Sequence, residues 1–118
     1  MRRNSKIDST QPAIIKAYRS FGVSVQPTHM IGGDFPDLIC ALQLRTWLTE
    51  CKDGTLPPSK RKLSPGQQEF RDEWCGIVFT VLSADEVPAV IDTVLNLTEI
   101  NEALRIRLRE NAGGPNVR

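Results

Sequence analysis

The sequence predicts an α/β domain in which helices flank a mixed sheet of about four strands. Two observations carry that prediction. Apolar residues recur at helical spacing over residues 10–21 and 84–95, a capping box opens a further helix over 64–75, and apolar residues occur in short extended runs at 23–26, 37–42, 46–52 and 77–82. The two kinds of segment interleave as helix, three strands, helix, strand, helix, an order that places helices over a sheet. With 118 residues, 40% of them hydrophobic, the chain can close one core, and residues 1–96 are expected to form it as a single domain.

In the first helix Ile14, Ile15, Tyr18 and Phe21 share a side, with Thr10 as N-cap and Gly22 as the stop. A short strand over 23–26 leads into a loop, Pro27 to Pro36, whose Gly32, Gly33 and Asp34 suit close approach to a ligand. Strands 37–42 and 46–52 are separated by Gln43 to Arg45, a hairpin-length connection, so they should pair antiparallel. A Pro-rich basic loop, DGTLPPSKRK, precedes Ser64, Pro65 and Gln67, which fit N-cap, N1 and N3 of a capping box. Ile77 to Leu82 reads as a buried strand, and Ser83 with Glu86 as a second capping box. The helix that follows carries Val87, Val90, Ile91, Val94 and Leu95 as an apolar stripe, with Pro88 in its first turn. Residues 97–112 predict a further helix with Ile100, Leu104 and Leu108 on one side, and 113–118 a disordered tail.

Composition narrows the function. The start MRRNSK is followed by DSTQP rather than an apolar stretch, and no apolar run approaches the ~18 residues of a membrane span, so a cytoplasmic protein with no membrane role is expected. Cys40, Cys51 and Cys75 form no CxxC pair and read as reduced core residues, while His29, the single histidine, reads as structural. The formal net charge is only +1, but the cations gather in three clusters: Arg2, Arg3 and Lys6; Lys60, Arg61 and Lys62; Arg105, Arg107 and Arg109. For the terminal clusters a solvated surface is the plain explanation.

The chemistry centres on TWLTECKD, Thr46 to Asp53. Strand alternation puts Leu48, Glu50 and Lys52 on one side and Trp47, Thr49 and Cys51 on the other, so two charges stand where a core-facing strand should be apolar. A surface salt bridge or a working site would explain them. If the two central strands pair, Asp37 at the head of the first converges with Glu50 and Lys52 of the second. Two adjacent carboxylates repel each other unless a divalent cation holds them, and such hard oxygen donors suit magnesium or manganese. The lysine can stabilise charge growing on a phosphate or orient an activated water.

PD at 36 and 37 with ECK at 50 to 52 resembles the PD-(D/E)XK nuclease superfamily, whose signature is that pair of segments on adjacent strands. GGDFPDLIC, TWLTECKDG, PPSKRKLSPGQ and IVFTVLSADEV are similar to the small stand-alone phage and bacterial members of its virus-type replication-repair branch, VRR-Nuc, over residues from about 8 to 95. The resemblance implies a restriction-endonuclease-like core and a magnesium- or manganese-dependent endonuclease that hydrolyses phosphodiester bonds in DNA. It also implies selectivity for branched or Holliday-junction substrates, a role in DNA repair, and for a phage protein a place in the bacterial host cell. Asp37 and Glu50 would be metal ligands, joined by the backbone carbonyl of Cys51, and Lys52 the catalytic lysine. Gln67 matches the glutamine that this branch places beside its active site, and its two roles, cap or site residue, compete for one side chain. Gln11 stands where many relatives have a glutamate that completes the acidic site, and its amide oxygen can still meet a metal.

Lys60, Arg61 and Lys62, with Gly32 and Gly33, would meet the DNA. Small stand-alone members are expected to pair, and the Ile100, Leu104, Leu108 stripe offers an interface for a homodimer. A second reading, based on Gln11, is a non-catalytic DNA-binding or phage assembly protein that keeps the nuclease fold. A third is a structural interaction module that uses the C-terminal helix.

Overall fold

The computed structural model describes residues 10–97. The two terminal basic clusters, the Ile100, Leu104, Leu108 stripe and the expected tail lie outside the described residues. The chain divides between Val87 and Pro88 into two compact units.

The first unit holds α1 (Gln11–Ser20), β1 (Ser24–Pro27), β2 (Leu38–Leu42), β3 (Arg45–Cys51), α2 (Pro58–Arg61), α3 (Pro65–Glu73) and β4 (Val78–Val81), followed by a 3₁₀ turn, Ala84–Glu86. The strands form one sheet in the order β1-β2-β3-β4, antiparallel across the first two pairs and parallel between β3 and β4. This is the mixed four-stranded α/β arrangement that the sequence predicts. In the second unit the chain is helical from residue 88 to residue 97, continuing from Val87, and Val90 and Val94 are buried.

The two sides of β3 explain how the sheet is covered. Trp47, Thr49 and Cys51 are buried on the α1 side, where Ile14 and Tyr18 are fully buried. The Tyr18 hydroxyl lies 2.8 Å from Thr49 Oγ1 and accepts a bond from Trp47 Nε1 at 3.3 Å, so the polar atoms of this core satisfy one another. Burial accordingly pushes the Tyr18 pKa up to about 12 and that of Cys40 up to about 11. The opposite side carries Leu48 and Glu50 and meets α3. That helix has no buried residue of its own, and it is held by the Arg71 guanidinium donating to Thr80 Oγ1 at 2.7 Å and by Phe70 packing edge-on to Phe35 at 5.4 Å.

Several local expectations are corrected. The hairpin between β2 and β3 is tighter than the spacing suggests. Leu42 pairs with Arg45, which leaves a two-residue turn in which Gln43 (φ 50°) and Leu44 (φ 69°) both adopt the left-handed region. Thr10 makes no side-chain cap to α1 and instead donates to the Lys52 carbonyl at 3.4 Å. Phe21 is exposed, because α1 ends before it. The second capping box does not form: Glu86 Oε1 accepts from the Leu82 amide at 2.7 Å, since Ser83 is extended and a 3₁₀ turn opens the segment. β4 is an edge strand, so only Val81 is buried in it. Cys75 is exposed beyond α3, while Cys40 and Cys51 are buried as expected.

The turn yields a prediction. Neither glutamine nor leucine favours a left-handed backbone, whereas Asn–Gly does, so replacing Gln43 and Leu44 by Asn and Gly should stabilise the protein by about 1 kcal/mol. Thermal unfolding checks this, and the expected result is a Tm higher by several degrees.

Candidate active site

The register builds the site. Leu38 pairs with Thr49, so one step towards the start of β2 sets Asp37 across from Glu50, on the side that faces α3. Asp37 is fixed there by its Oδ2, which accepts a hydrogen bond from the Cys51 amide at 2.7 Å. Its carboxyl group is also hydrogen-bonded to that of Glu50. Glu50 is only 5% exposed. A surface salt bridge is therefore not what these charges form. Burial, then the charge of Asp37 and the hydrogen bond to it, push the Glu50 pKa up to about 8, with Asp34 adding a smaller push and Lys52 pulling the other way. The direction of that shift favours a proton on Glu50 beside the Asp37 carboxylate.

Lys52 lies just past β3, and its amide continues the parallel ladder by donating to the Val81 carbonyl at 3.0 Å. Its Nζ stands 4.0 Å from Glu50 Oε2 and donates to Gln67 Oε1 at 3.0 Å. Gln67 makes the cap and contacts Glu50 and Lys52 at the same time. Its Oε1 also accepts from the Ser64 amide at 2.9 Å while the Ser64 hydroxyl accepts from the Gln67 amide at 3.1 Å, so the capping box is complete. Its Nε2 donates to Glu50 Oε2 at 3.1 Å. One amide has enough donors and acceptors for this because a carbonyl oxygen accepts twice.

Asp34, read from the sequence only as part of a ligand-facing loop, comes close to the acidic pair, where its charge adds to the push on Glu50. Its carboxylate lies against Gly66 in the first turn of α3, where a Cβ would collide with both of its oxygens. The first turn of a helix favours an anion, and here glycine makes the approach sterically feasible. A signal was present in GGDFPD, which sets two aspartates three residues apart, but without the position of α3 nothing tied the first of them to the site. Gly32 and Gly33 have positive φ, 79° and 63°, and turn the chain just ahead of Asp34.

The remaining candidates are placed as follows. Gln11 is buried in the first turn of α1, one residue from the Thr10 bond to the Lys52 carbonyl. Cys51 is buried between its two charged neighbours. The basic loop contains the short helix α2, and its cations are not equivalent. Arg61 donates to the Gly54 carbonyl at 2.7 Å and the Leu56 carbonyl at 3.2 Å, closing its own loop, while Lys60 and Lys62 are exposed. His29 is exposed beside the end of β1 rather than packed.

Among the described residues, no group of three or more His, Cys, Asp or Glu side chains is arranged as a metal cage. The donor chemistry nevertheless fits a hard divalent cation. Asp37 and Glu50 are two oxygen donors in contact, mostly withdrawn from water, whose mutual repulsion is relieved by a proton that a cation could replace. Comparisons with protein-family models, with curated proteins and with solved structures returned no match.

Two predictions follow from this geometry. An unfolded Glu50 releases its proton near pH 4.5, whereas the folded one keeps it to about pH 8. In chelator the unfolding free energy should therefore decline as pH rises through that window, by up to about 1.4 kcal/mol per pH unit, and Glu50→Gln should remove this part of the slope. Urea unfolding across the window is the measurement, and an equally steep decline in the variant would contradict the assignment. For Gly66→Ala, a loss of about 1 kcal/mol or more is expected in place of the usual gain in helix propensity. In an Asp34→Ala background the same change should become neutral or favourable, which a double-mutant cycle will measure.

Proposed function

We propose that the protein is a metal-dependent DNA endonuclease of the PD-(D/E)XK type with a restriction-endonuclease-like core. The observation that carries the reading is the contact between the Asp37 and Glu50 carboxyl groups across paired strands, with Lys52 Nζ 4.0 Å from Glu50.

In this reading Asp37, Glu50 and the Cys51 carbonyl hold magnesium or manganese. The bound ion would neutralise charge on the scissile phosphate and lower the pKa of a nearby water. Lys52, steered by Gln67, places its ammonium against a phosphate oxygen as charge develops there. Gln67 also fixes Glu50, so one helix start orients both the acid and the cation. Lys60 and Lys62 contribute affinity without base preference, together with the Gly32–Gly33 turn. The substrate is branched DNA, and a homodimer presents two sites to it. The expected setting is the cytoplasm, that of a bacterial host for a phage protein.

The second reading, a DNA-binding protein that has lost catalysis, is favoured by the neutral amide of Gln11 where the resembling family carries an acid. A magnesium titration separates the two.

A panel of labelled junction, flap, nicked and linear DNAs incubated with magnesium or manganese tests the proposal. Asp37→Ala, Glu50→Gln and Lys52→Ala should each reduce cleavage by at least about a hundredfold while unfolding stays cooperative. Glu50 is replaced by its isostere because it is buried. Paired incisions on the four-way junction are expected of the dimer, and near-wild-type cleavage by any of the three variants would remove that residue from the mechanism.

A further inference from the structure

We infer that the groove between α1 and the end of β1 is a nucleotide subsite, which takes one unpaired nucleotide of the substrate strand beside the acidic site. The inference rests on the nuclease reading for its choice of occupant. The groove has a volume of about 460 Å³, within the usual range of small-molecule sites.

One stripe of α1 forms the first wall. Gln11, Pro12, Ile15, Lys16 and Arg19 form a stripe at helical spacing that flanks the core residues Ile14 and Tyr18, with the buried Gln11 at the boundary between the two. Pro27 and His29 form the other wall. The lining residues therefore combine an apolar floor, from Pro12, Ile15 and Pro27, with exposed cations at Lys16 and Arg19, one amino group of Arg19 donating to the Val25 carbonyl at 3.2 Å, an exposed imidazole and a buried amide. No acidic side chain is among them.

That combination matches a nucleotide part by part. An unstacked base has an apolar face for the floor, its edge can bond the Gln11 amide as donor and acceptor, and its phosphate complements the two cations.

Position is the second argument. Each wall is one residue away from a hydrogen bond to the acidic site. Thr10, before Gln11, donates to the Lys52 carbonyl, while Thr28, before His29, donates its amide to the Asp37 carbonyl at 3.0 Å and its hydroxyl to the Pro36 carbonyl. Groove and acidic site thus lie at the same end of the sheet, on its two sides, where one substrate strand can reach both. The buried Gln11 gains a second use here, as a contact to a base.

The test uses the full chain with 5′-phosphorylated tetrathymidylate in chelator, so that binding is read without cleavage. Backbone amide shifts should cluster at residues 11–19 and 27–29, and Lys16→Gln with Arg19→Gln should weaken binding about tenfold, as the loss of two phosphate contacts requires. With magnesium, the same double variant should raise KM for branched DNA more than it lowers kcat. Shifts that map elsewhere, an unchanged Kd in the double variant, or tetraglutamate binding as tightly as the oligonucleotide would each overturn the subsite. If the wild-type protein binds in the groove but cleaves none of the DNAs, the nuclease reading falls and the subsite stands.

Discussion

The placement of Glu50 is the constraint on which the rest of the site depends. A glutamate at the end of a central strand, 5% exposed and touching another carboxyl group, is unfavourable as an isolated charge. The charges of Asp37 and Asp34 add to that cost, and three contacts reduce it. Asp37 shares its proton, Gln67 donates to it, and Lys52 brings a positive charge to 4.0 Å. A chain selected only for stability would have an apolar residue there, as β3 does at Leu48 on the same side. A buried pair of carboxyl groups with a raised pKa is the kind of arrangement that clusters at functional sites, and it is the feature on which the proposed function rests.

α3 acts as the keystone of this arrangement although it buries no residue. Its first turn supplies Gln67 to the site and receives the Asp34 carboxylate, and the box with Ser64 sets the direction in which Gln67 points. Farther along, Phe70 packs between Phe35 and Trp74, and Arg71 bonds Thr80, which pairs with Glu50 across the parallel strands. The loop that carries Asp34 and Asp37 is thereby tied to the helix by an aromatic contact at Phe35, between the two aspartates. The side chains that hold the helix are thus neighbours of those that form the site.

The two sides of the sheet divide the work. Facing α1, the Tyr18, Trp47 and Thr49 network satisfies its own polar atoms and needs no outside partner. Facing α3, the polar groups remain half-open and several carry charge. Strand alternation makes this division possible within seven residues of β3, because neighbouring residues never share a side.

Much of the fold was legible from local pattern. The pattern of apolar residues located the four strands and α1, and the Ser64–Gln67 spacing located α3 through the capping box that opens it. The boundaries that moved did so where tertiary contacts outweigh local preference: Thr10 turned from a cap to the Lys52 carbonyl, Glu86 bonded Leu82, and the hairpin tightened onto Leu42 and Arg45. Within the candidate site, the sequence by itself determined that Glu50 faces away from Trp47, Thr49 and Cys51 on its strand, because alternation is a property of the backbone. Only the tertiary structure decided that Asp37 touches Glu50, that Gln67 serves cap and site together, that Asp34 joins through Gly66, and that Arg61 is engaged by its own loop. Those outcomes depend on strand register and on where α3 lands, and distances between segments far apart in the chain are fixed only when the whole core packs.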